Sequence, residues 1–138
     1  VHDVPYGLYL APDEELARML KELTVAKSVF TNSDRAHAVK VLSALGVEEY
    51  FDVIVDIYAT NFLNKPRRDA FSVLFEQLEA EPRECVFLDD QERNLAMARS
   101  LGMTTILVQP EISGDSVAEF CVPDVVQAGG LLRRLVAE

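Results

Sequence analysis

Short apolar runs alternate with helix-like segments along most of the 138-residue chain. Four of these runs are almost wholly apolar, and a weaker fifth run follows near the carboxyl terminus: residues 28–31, 53–57, 85–88, 104–108 and 120–122. Strands that are buried on both faces have this unbroken pattern, and strands alternating with helices form a parallel sheet with helices on both faces. The sequence therefore predicts one α/β domain over residues 1–138.

Helix boundary signals lie between the apolar runs. Asn32, Ser33 and Asp34 offer capping side chains for a helix that ends at Gly46. Pro66 suits the first turn of the next helix, because its missing N–H is not needed there. The first three predicted strands are thus each followed by a loop and a helix.

Polar side chains follow several of the predicted strands: Thr31, Asp56, Lys65, Asp89 and Asp90. In an open parallel sheet ligands bind at the carboxyl ends of the strands, so these side chains should share one rim. Taken singly, each has a plainer explanation. A threonine can simply end a strand, a lysine can be solvated in a loop, and an acid can cap a helix.

The adjacent acids Asp89 and Asp90 are harder to explain as a helix cap alone. Two carboxylates at a buried strand end repel each other, and a cation such as Mg²⁺ with its preference for oxygen ligands relieves that repulsion. With Thr31 and Lys65 on the same rim, the set contains a hydroxyl donor, a cation and a metal-holding acid. This combination predicts a phosphate site.

Charge and hydropathy exclude several other classes of protein. The formal net charge is −10, whereas nucleic-acid binders concentrate basic surface, so no nucleic-acid partner is expected. No apolar run is long enough for a membrane span. Cys85 and Cys121 stand in apolar surroundings, not in a CxxC pair, which predicts small buried side chains and a cytoplasmic location.

Three segments, quoted in chain order, resemble motifs II, III and IV of the haloacid dehalogenase superfamily: SVFTNSD, NKPRRDAF and CVFLDDQERNLAMARSLGMTTILV. The segments VHDVPYGLYLAPDEEL and FTNSDRAHAVKVLSALGVEEYFD are similar to the branch that contains pyrimidine 5′-nucleotidases. The resemblance extends to about Val108. It implies a Rossmann-like core and hydrolase activity.

The resemblance also implies roles for residues of motifs II and III. Thr31, with Asn32, matches the residues that hydrogen-bond the transferring phosphoryl group. Lys65 matches the lysine that neutralises that group and orients the nucleophile. Thr31 and Lys65 are therefore the expected catalytic residues, and Thr31, Asn32 and Lys65 the expected substrate-binding ones.

The motif IV resemblance implies a magnesium site. Asp90 matches the acid that binds Mg²⁺, Asp89 is its paired neighbour, and Asn94 stands where many members carry a second acid. Dehalogenases of the superfamily need no metal, so the acid pair favours a phosphatase. The expected substrate is a nucleoside monophosphate or another small phosphorylated metabolite.

Motif I of the family, DxDx[TV], does not occur in this sequence. Its first Asp is the nucleophile and its second the general acid and base. Asp56 ends a strand but follows motif II, and Tyr58 stands where the second Asp should be. The chain is therefore expected to begin after motif I and the helical cap, and to be inactive alone.

In the family the motif I strand lies at the middle of the sheet, so its absence should leave a gap between the strands of Thr31 and Asp90. Either those strands close together, or a complementing segment or second subunit supplies the missing strand. The sequence leaves both open.

A second class of function also stays open, namely a non-catalytic phosphate-binding or regulatory module. A phospho-acceptor receiver domain would be one form of it. Receivers carry their acid pair at the first strand, however, and here the pair comes last.

Overall fold

The computed structural model describes residues 12–111 and 114–136. Within them, helices and strands alternate in the order α1 (Glu14–Glu22), β1 (Ser28–Phe30), α2 (Arg35–Leu45), β2 (Val53–Val55), α3 (Arg68–Leu78), β3 (Val86–Asp89), α4 (Glu92–Ser100), β4 (Thr104–Val108), β5 (Phe120–Val122) and α5 (Gly129–Val136). Short 3₁₀ turns precede β2, β3 and α5. Among the helices of this described part, none has the length and apolar character that crossing a bilayer requires.

Side-chain caps start the first two helices, and the cap of the second lies where the sequence predicts it. The carboxylate of Asp13 accepts a hydrogen bond from Leu16 N at 3.0 Å, and that of Asp34 accepts one from His37 N at 2.7 Å. Each cap satisfies an N–H that has no partner inside its helix. Gly46 ends α2 with a φ of 75°, a left-handed conformation that favours glycine.

The predicted place of Pro66 in the first turn of α3 is wrong. The backbone of Arg67 is extended, with a ψ of 134°, and α3 begins one residue later. Arg67 N donates to Asn64 O at 2.9 Å, which closes a turn before the helix starts. Pro66 lies inside that turn.

The strands form two parallel sheets. β1 pairs with β2, Ser28 lying opposite Val53, while β4 pairs with β3 on one side and β5 on the other. Within the described residues β1 and β3 are not hydrogen-bonded to each other. The parallel α/β architecture is confirmed. Among the described residues, the strand of Thr31 and the strand that precedes Asp90 do not pair with each other.

Each face of the sheets carries its own apolar core. One core contains residues of α1, α2 and α5 against Ile106 and Val122. The other contains residues of α3 and α4 against Val55, Phe87 and Leu107. Ile106 and Leu107 serve opposite cores because successive strand side chains point to opposite faces. Helices therefore cover both faces, as predicted.

The two cysteines differ from their prediction and from each other. Cys121 is exposed and Cys85 only half-buried, so the predicted burial is wrong for Cys121. Cys121 lies on β5, which is at the edge of its sheet among the described strands because it pairs only with β4. Burial, with a smaller effect of the Glu84 carboxylate, raises the pKa of the Cys85 thiol.

Replacing Phe71 by alanine should lower the free energy of unfolding by about 3–5 kcal/mol, because a buried ring is lost and a cavity remains. Phe71 is fully buried and packs edge-on against Phe30 and Phe87. The control is Phe62→Ala, since the Phe62 side chain is 62% exposed, and its cost should not exceed about 1 kcal/mol. Urea unfolding measures both, and equal costs would contradict the assignment of this core.

Candidate functional site

Lys65 connects the carboxyl ends of β1 and β3. Its Nζ donates to the Phe30 carbonyl and to Asp89 Oδ2, each at 3.0 Å. The Lys65 and Asp89 side chains are only 11% and 7% exposed. The ammonium also lies 5.2 Å from the ring centre of Phe30 and 5.7 Å from that of Phe87, within cation–π range. The positive charge is therefore held in a fixed place at the rim.

Asn32 holds the backbone of Lys65. Its Oδ1 accepts from Lys65 N at 2.8 Å, and its Nδ2 donates to Lys65 O at 3.4 Å. The two residues are far apart in sequence, so this pair of bonds fixes the loop after β2 against the loop after β1. In the structure the Asn32 amide thus positions Lys65, and the role of Asn32 in substrate binding stays a prediction.

Thr31 and Ser33 form a pair of hydroxyls at the end of β1. Their oxygens are 2.7 Å apart, and Thr31 Oγ1 also accepts from Ser33 N at 3.1 Å. Thr31 N donates to Val55 O at 3.0 Å, which fixes its backbone to β2. Thr31 therefore lies on the predicted rim with a second hydroxyl beside it.

Asp89 accepts three hydrogen bonds at the end of β3. Its Oδ1 accepts from Gln91 N at 2.8 Å, and its Oδ2 accepts from Lys65 Nζ and from Asn94 Nδ2, the latter at 3.2 Å. The helix cap of α4 is Gln91 rather than either acid. Asp89 therefore joins Lys65 and α4 in one network.

Asp90 has a different environment from Asp89. Its side chain is exposed, and its carbonyl accepts from Gln109 Nε2 at 3.0 Å. Within the described residues its carboxylate takes part in no hydrogen bond or ion pair. Of the two acids, Asp90 is the one whose carboxylate oxygens are uncommitted.

The oxygen atoms near Asp89 and Asp90 are of the kind that Mg²⁺ binds. Asn94 is buried, and its Oδ1 has no hydrogen-bond partner, which is costly unless a ligand satisfies it. In the described part of the chain, three or more His, Cys, Asp or Glu side chains nowhere come together as a metal site. One or two carboxylates with water and substrate phosphate suffice for Mg²⁺, so the residues present fit that ion.

Asp56 shapes both loops that border the rim. It is buried, its Oδ2 accepts from Arg35 N and its Oδ1 from Ala59 N, both at 2.8 Å. Ile57 N donates to Ser33 O at 3.0 Å, which adds to the bond between Asp56 and Arg35 as a further connection between the loops. Both carboxylate oxygens of Asp56 are thus engaged, and it lies on the rim as predicted.

Sequence reasoning missed Ser33 and Gln109 as parts of this rim. Ser33 stands two residues after Thr31, and the pattern Thr-x-Ser was a usable signal because such hydroxyls often bond locally. Gln109 follows β4, so the rule that strand ends share a rim also applied to it. Its contact with the Asp90 carbonyl had no sequence signal.

The family profile described as haloacid dehalogenase-like hydrolase matches residues 4–102. The chain belongs to this family. Membership of the haloacid dehalogenase-like hydrolases, which the sequence resemblance predicts, is confirmed.

Two curated relatives show the range of enzymes that share this family. Bifunctional epoxide hydrolase 2 of Rattus norvegicus is 31% identical over 106 residues, which are 74% of this chain and 19% of that protein. Fructose-1-phosphate phosphatase YqaB of Escherichia coli is 30% identical over 82 residues, or 59% of this chain and 43% of that protein. The chain thus spans less than half the length of either relative.

Solved structures confirm the fold. The HAD phosphatase from Thermococcus onnurineus superposes with a TM-score of 0.73 at 23% identity, covering 97% of this chain and 65% of that one. The likeness therefore extends over nearly all of this chain. The protein therefore has the α/β fold of the haloacid dehalogenase family.

Replacing Lys65 by methionine should lower the free energy of unfolding by about 3–5 kcal/mol, because Asp89 loses the partner of a buried charge. Adding Asp89→Asn should recover part of that loss, with a coupling of about 1–3 kcal/mol in a double-mutant cycle. Urea unfolding of the unsubstituted protein, the two single variants and the double variant measures the coupling.

The exposed pair Glu81 and Arg83, 2.8 Å apart, is the control for this cycle. Its coupling should stay below about 1 kcal/mol, because exposed ion pairs are screened by water. If the Lys65 cycle gives no larger coupling than this control, the buried pair is not what holds the rim together.

Proposed function

We propose that this chain is the core of a Mg²⁺-dependent phosphomonoester hydrolase acting on a small phosphorylated metabolite. The observation that carries the proposal is the Lys65 ammonium, held at the carboxyl ends of β1 and β3 by Asp89 and the Phe30 carbonyl. A fixed cation beside strand ends neutralises a phosphoryl group without reorganising as charge develops. Membership of a hydrolase family supports the same reaction class.

Phosphate binding is assigned to Thr31 and Lys65, with Ser33 as an added donor. Thr31 and Ser33 each provide an O–H, and the contact between them uses only one of the two hydrogens, so one O–H stays available to donate to a phosphate oxygen. Asn32 contributes by placing Lys65, since both its amide groups bond the Lys65 backbone.

The metal site is assigned to Asp90, with Asp89 and the unpaired Asn94 Oδ1 beside it. When bound there, Mg²⁺ supplies charge neutralisation for phosphoryl oxygens. Asp89 keeps Asn94 in place through the Asn94 Nδ2 bond. This orientation leaves Asn94 Oδ1 as the free oxygen of that amide.

The attacking carboxylate is assigned to a segment outside residues 1–138. Asp56 accepts hydrogen bonds on both oxygens, and Asp89 is paired with Lys65, so neither is free to attack phosphorus. A DxDx[TV] segment placed upstream would supply the nucleophile and the general acid that the family uses. This chain alone is therefore expected to be inactive.

The substrate we propose first is a nucleoside monophosphate, on the resemblance of the amino-terminal half to the pyrimidine 5′-nucleotidase branch. A sugar phosphate is the second choice, since YqaB is by name a fructose-1-phosphate phosphatase. The location we propose is the cytoplasm.

A non-catalytic phosphate-binding or regulatory module is the alternative function. The engaged state of Asp56 and Asp89 favours it, because the rim can then bind phosphate but lacks an attacking group. Both functions require the rim to bind phosphate, but only the hydrolase would release phosphate from a substrate.

With Mg²⁺ and nucleoside monophosphates, the 138-residue chain should release no phosphate above the uncatalysed rate. A longer form carrying an upstream DxDx[TV] segment should release it, because the nucleophile is then present. A colorimetric phosphate assay measures both, and changing the first Asp of that segment to Asn is the control. A longer form that binds phosphate without turnover would support the regulatory module instead.

Asp90→Asn should weaken Mg²⁺ binding to the 138-residue chain by about tenfold or more, because a carboxylate ligand becomes neutral. Chemical shifts of the Asp90 and Asn94 amides, followed during a Mg²⁺ titration, measure the affinity. Asp52→Asn makes the same charge change at the start of β2, at the opposite end of the sheet, and should leave the affinity unchanged. Equal effects of the two variants would show that Mg²⁺ responds only to net charge.

A further inference from the structure

Gln109 directly follows β4 and lies beside the turn that carries Asp90. Its Nε2 donates to the Asp90 carbonyl at 3.0 Å. Its backbone is fixed as well, because Gln109 N donates to Val122 O at 3.0 Å and so extends the pairing of β4 with β5. A side-chain amide on an anchored backbone therefore holds the carbonyl of the residue that we assign to the metal site.

The direction of the Gln109 side chain follows from the sheet. Leu107 lies opposite Asp89 in the register of β3 and β4, and Gln109 comes two residues after Leu107. Side chains two residues apart along a strand point to the same face. Leu107 packs in the core that contains residues of α4, so Gln109 lies on the face that α4 covers, next to the turn from β3 into α4.

Hydrogen bonds hold the backbone around Asp90 on both sides. Asp89 Oδ1 accepts from Gln91 N at 2.8 Å, and the Asp90 carbonyl accepts from Gln109 Nε2. The Asp90 side chain is exposed, and its carboxylate has no partner in the described part of the chain. The backbone of Asp90 is thus fixed, while its carboxylate stays available to a ligand.

An independent observation on the same turn points to a ligand. Asn94 is buried and its Oδ1 has no hydrogen-bond partner, although Asp89 Oδ2 accepts from its Nδ2. A buried amide oxygen in this state is costly unless a ligand satisfies it. Asp90 and Asn94 both belong to the junction between β3 and α4, so a bond that fixes this junction also fixes the two candidate ligands relative to each other.

We propose that Gln109 is a positioning residue for the Mg²⁺ site, because its amide holds the Asp90 backbone in place in the metal-free chain. A ligand that is already held loses less freedom when an ion binds, and residues outside the ligand set tune metal affinity in this way. The inference rests on the proposed metal site at Asp90 and adds to that site a residue from another strand end.

Gln109→Met removes the donor and keeps an unbranched side chain of similar length. It should weaken Mg²⁺ binding to the 138-residue chain by about threefold to tenfold, the range expected for the loss of one hydrogen bond. Chemical shifts of the Asp90 and Asn94 amides, followed during a Mg²⁺ titration, measure the affinity.

Ser116→Ala is the matched control. Ser116 lies in the same connection between β4 and β5, and its Oγ donates to Glu92 Oε1 at 2.9 Å. This variant also removes one bond between that connection and the start of α4, but Glu92 is outside the proposed ligand set. The Mg²⁺ affinity should therefore stay unchanged, and urea unfolding checks that both variants are folded.

Combination with Asp90→Asn separates positioning from direct metal binding. If Gln109 acts through Asp90, Gln109→Met should have little further effect on Mg²⁺ affinity once Asp90 is replaced, because effects that share one residue do not add. Backbone ¹⁵N relaxation without Mg²⁺ gives a second readout. The order parameters of the Asp90 and Gln91 amides should fall in Gln109→Met from the value of about 0.85 that is typical of rigid backbone, and should not fall in Ser116→Ala.

Three outcomes would overturn the positioning role while leaving the metal site standing. The first is an unchanged Mg²⁺ affinity in Gln109→Met when Asp90→Asn weakens binding. The second is an effect of Gln109→Met that persists in full beside Asp90→Asn, which would make Gln109 act independently of Asp90. The third is an equal loss in Ser116→Ala, which would assign the effect to the connection as a whole.

A different result would overturn the metal assignment itself. If Asp90→Asn leaves Mg²⁺ affinity unchanged, or the unsubstituted chain binds no Mg²⁺, the site proposed at Asp90 is wrong and the role of Gln109 is wrong with it. Because the titrations contain no phosphate ester, they are independent of whether the chain supports turnover.

Discussion

The arrangement of the rim depends on the Lys65 ammonium. It bonds the Phe30 carbonyl on one sheet and the Asp89 carboxylate on the other, across a gap that no ladder hydrogen bond spans in the described residues. An ion of this kind is costly to bury unless it is fully paired. Asn32 lowers that cost by fixing the Lys65 backbone, and the Phe30 and Phe87 rings add cation–π contacts.

The two adjacent acids acquire different environments from a single turn. Asp89 is the last residue of β3, so its side chain faces Lys65 and Asn94, whereas Asp90 lies beyond the strand and is exposed. Their mutual repulsion is thereby reduced, because the Asp89 charge is offset by an ammonium while water solvates Asp90. The two acids therefore differ in role: Asp89 is held by hydrogen bonds within the protein, whereas the Asp90 carboxylate has no partner among the described residues.

Signals between near neighbours in the sequence predicted the helices and strands. Contacts between residues that are far apart in sequence depend on the fold and were not predicted. The Asp34 cap and the Gly46 stop were readable because they involve neighbours within four residues. The bond between Asn32 and Lys65 joins residues 33 positions apart, and no spacing rule predicts it. The exposure of Cys121 was likewise hidden, because an apolar neighbourhood in sequence does not reveal which strand lies at an edge.

The Phe30 carbonyl oxygen belongs both to β1 and to the phosphate rim. It accepts from Lys65 Nζ, and β2 is the only strand that pairs with β1 among the described residues. The ammonium thus provides a partner for a strand carbonyl, and a buried carbonyl without a partner is costly. A ligand that draws the Lys65 ammonium further onto the rim must therefore offset the loss of this hydrogen bond as well as the loss of the ion pair with Asp89.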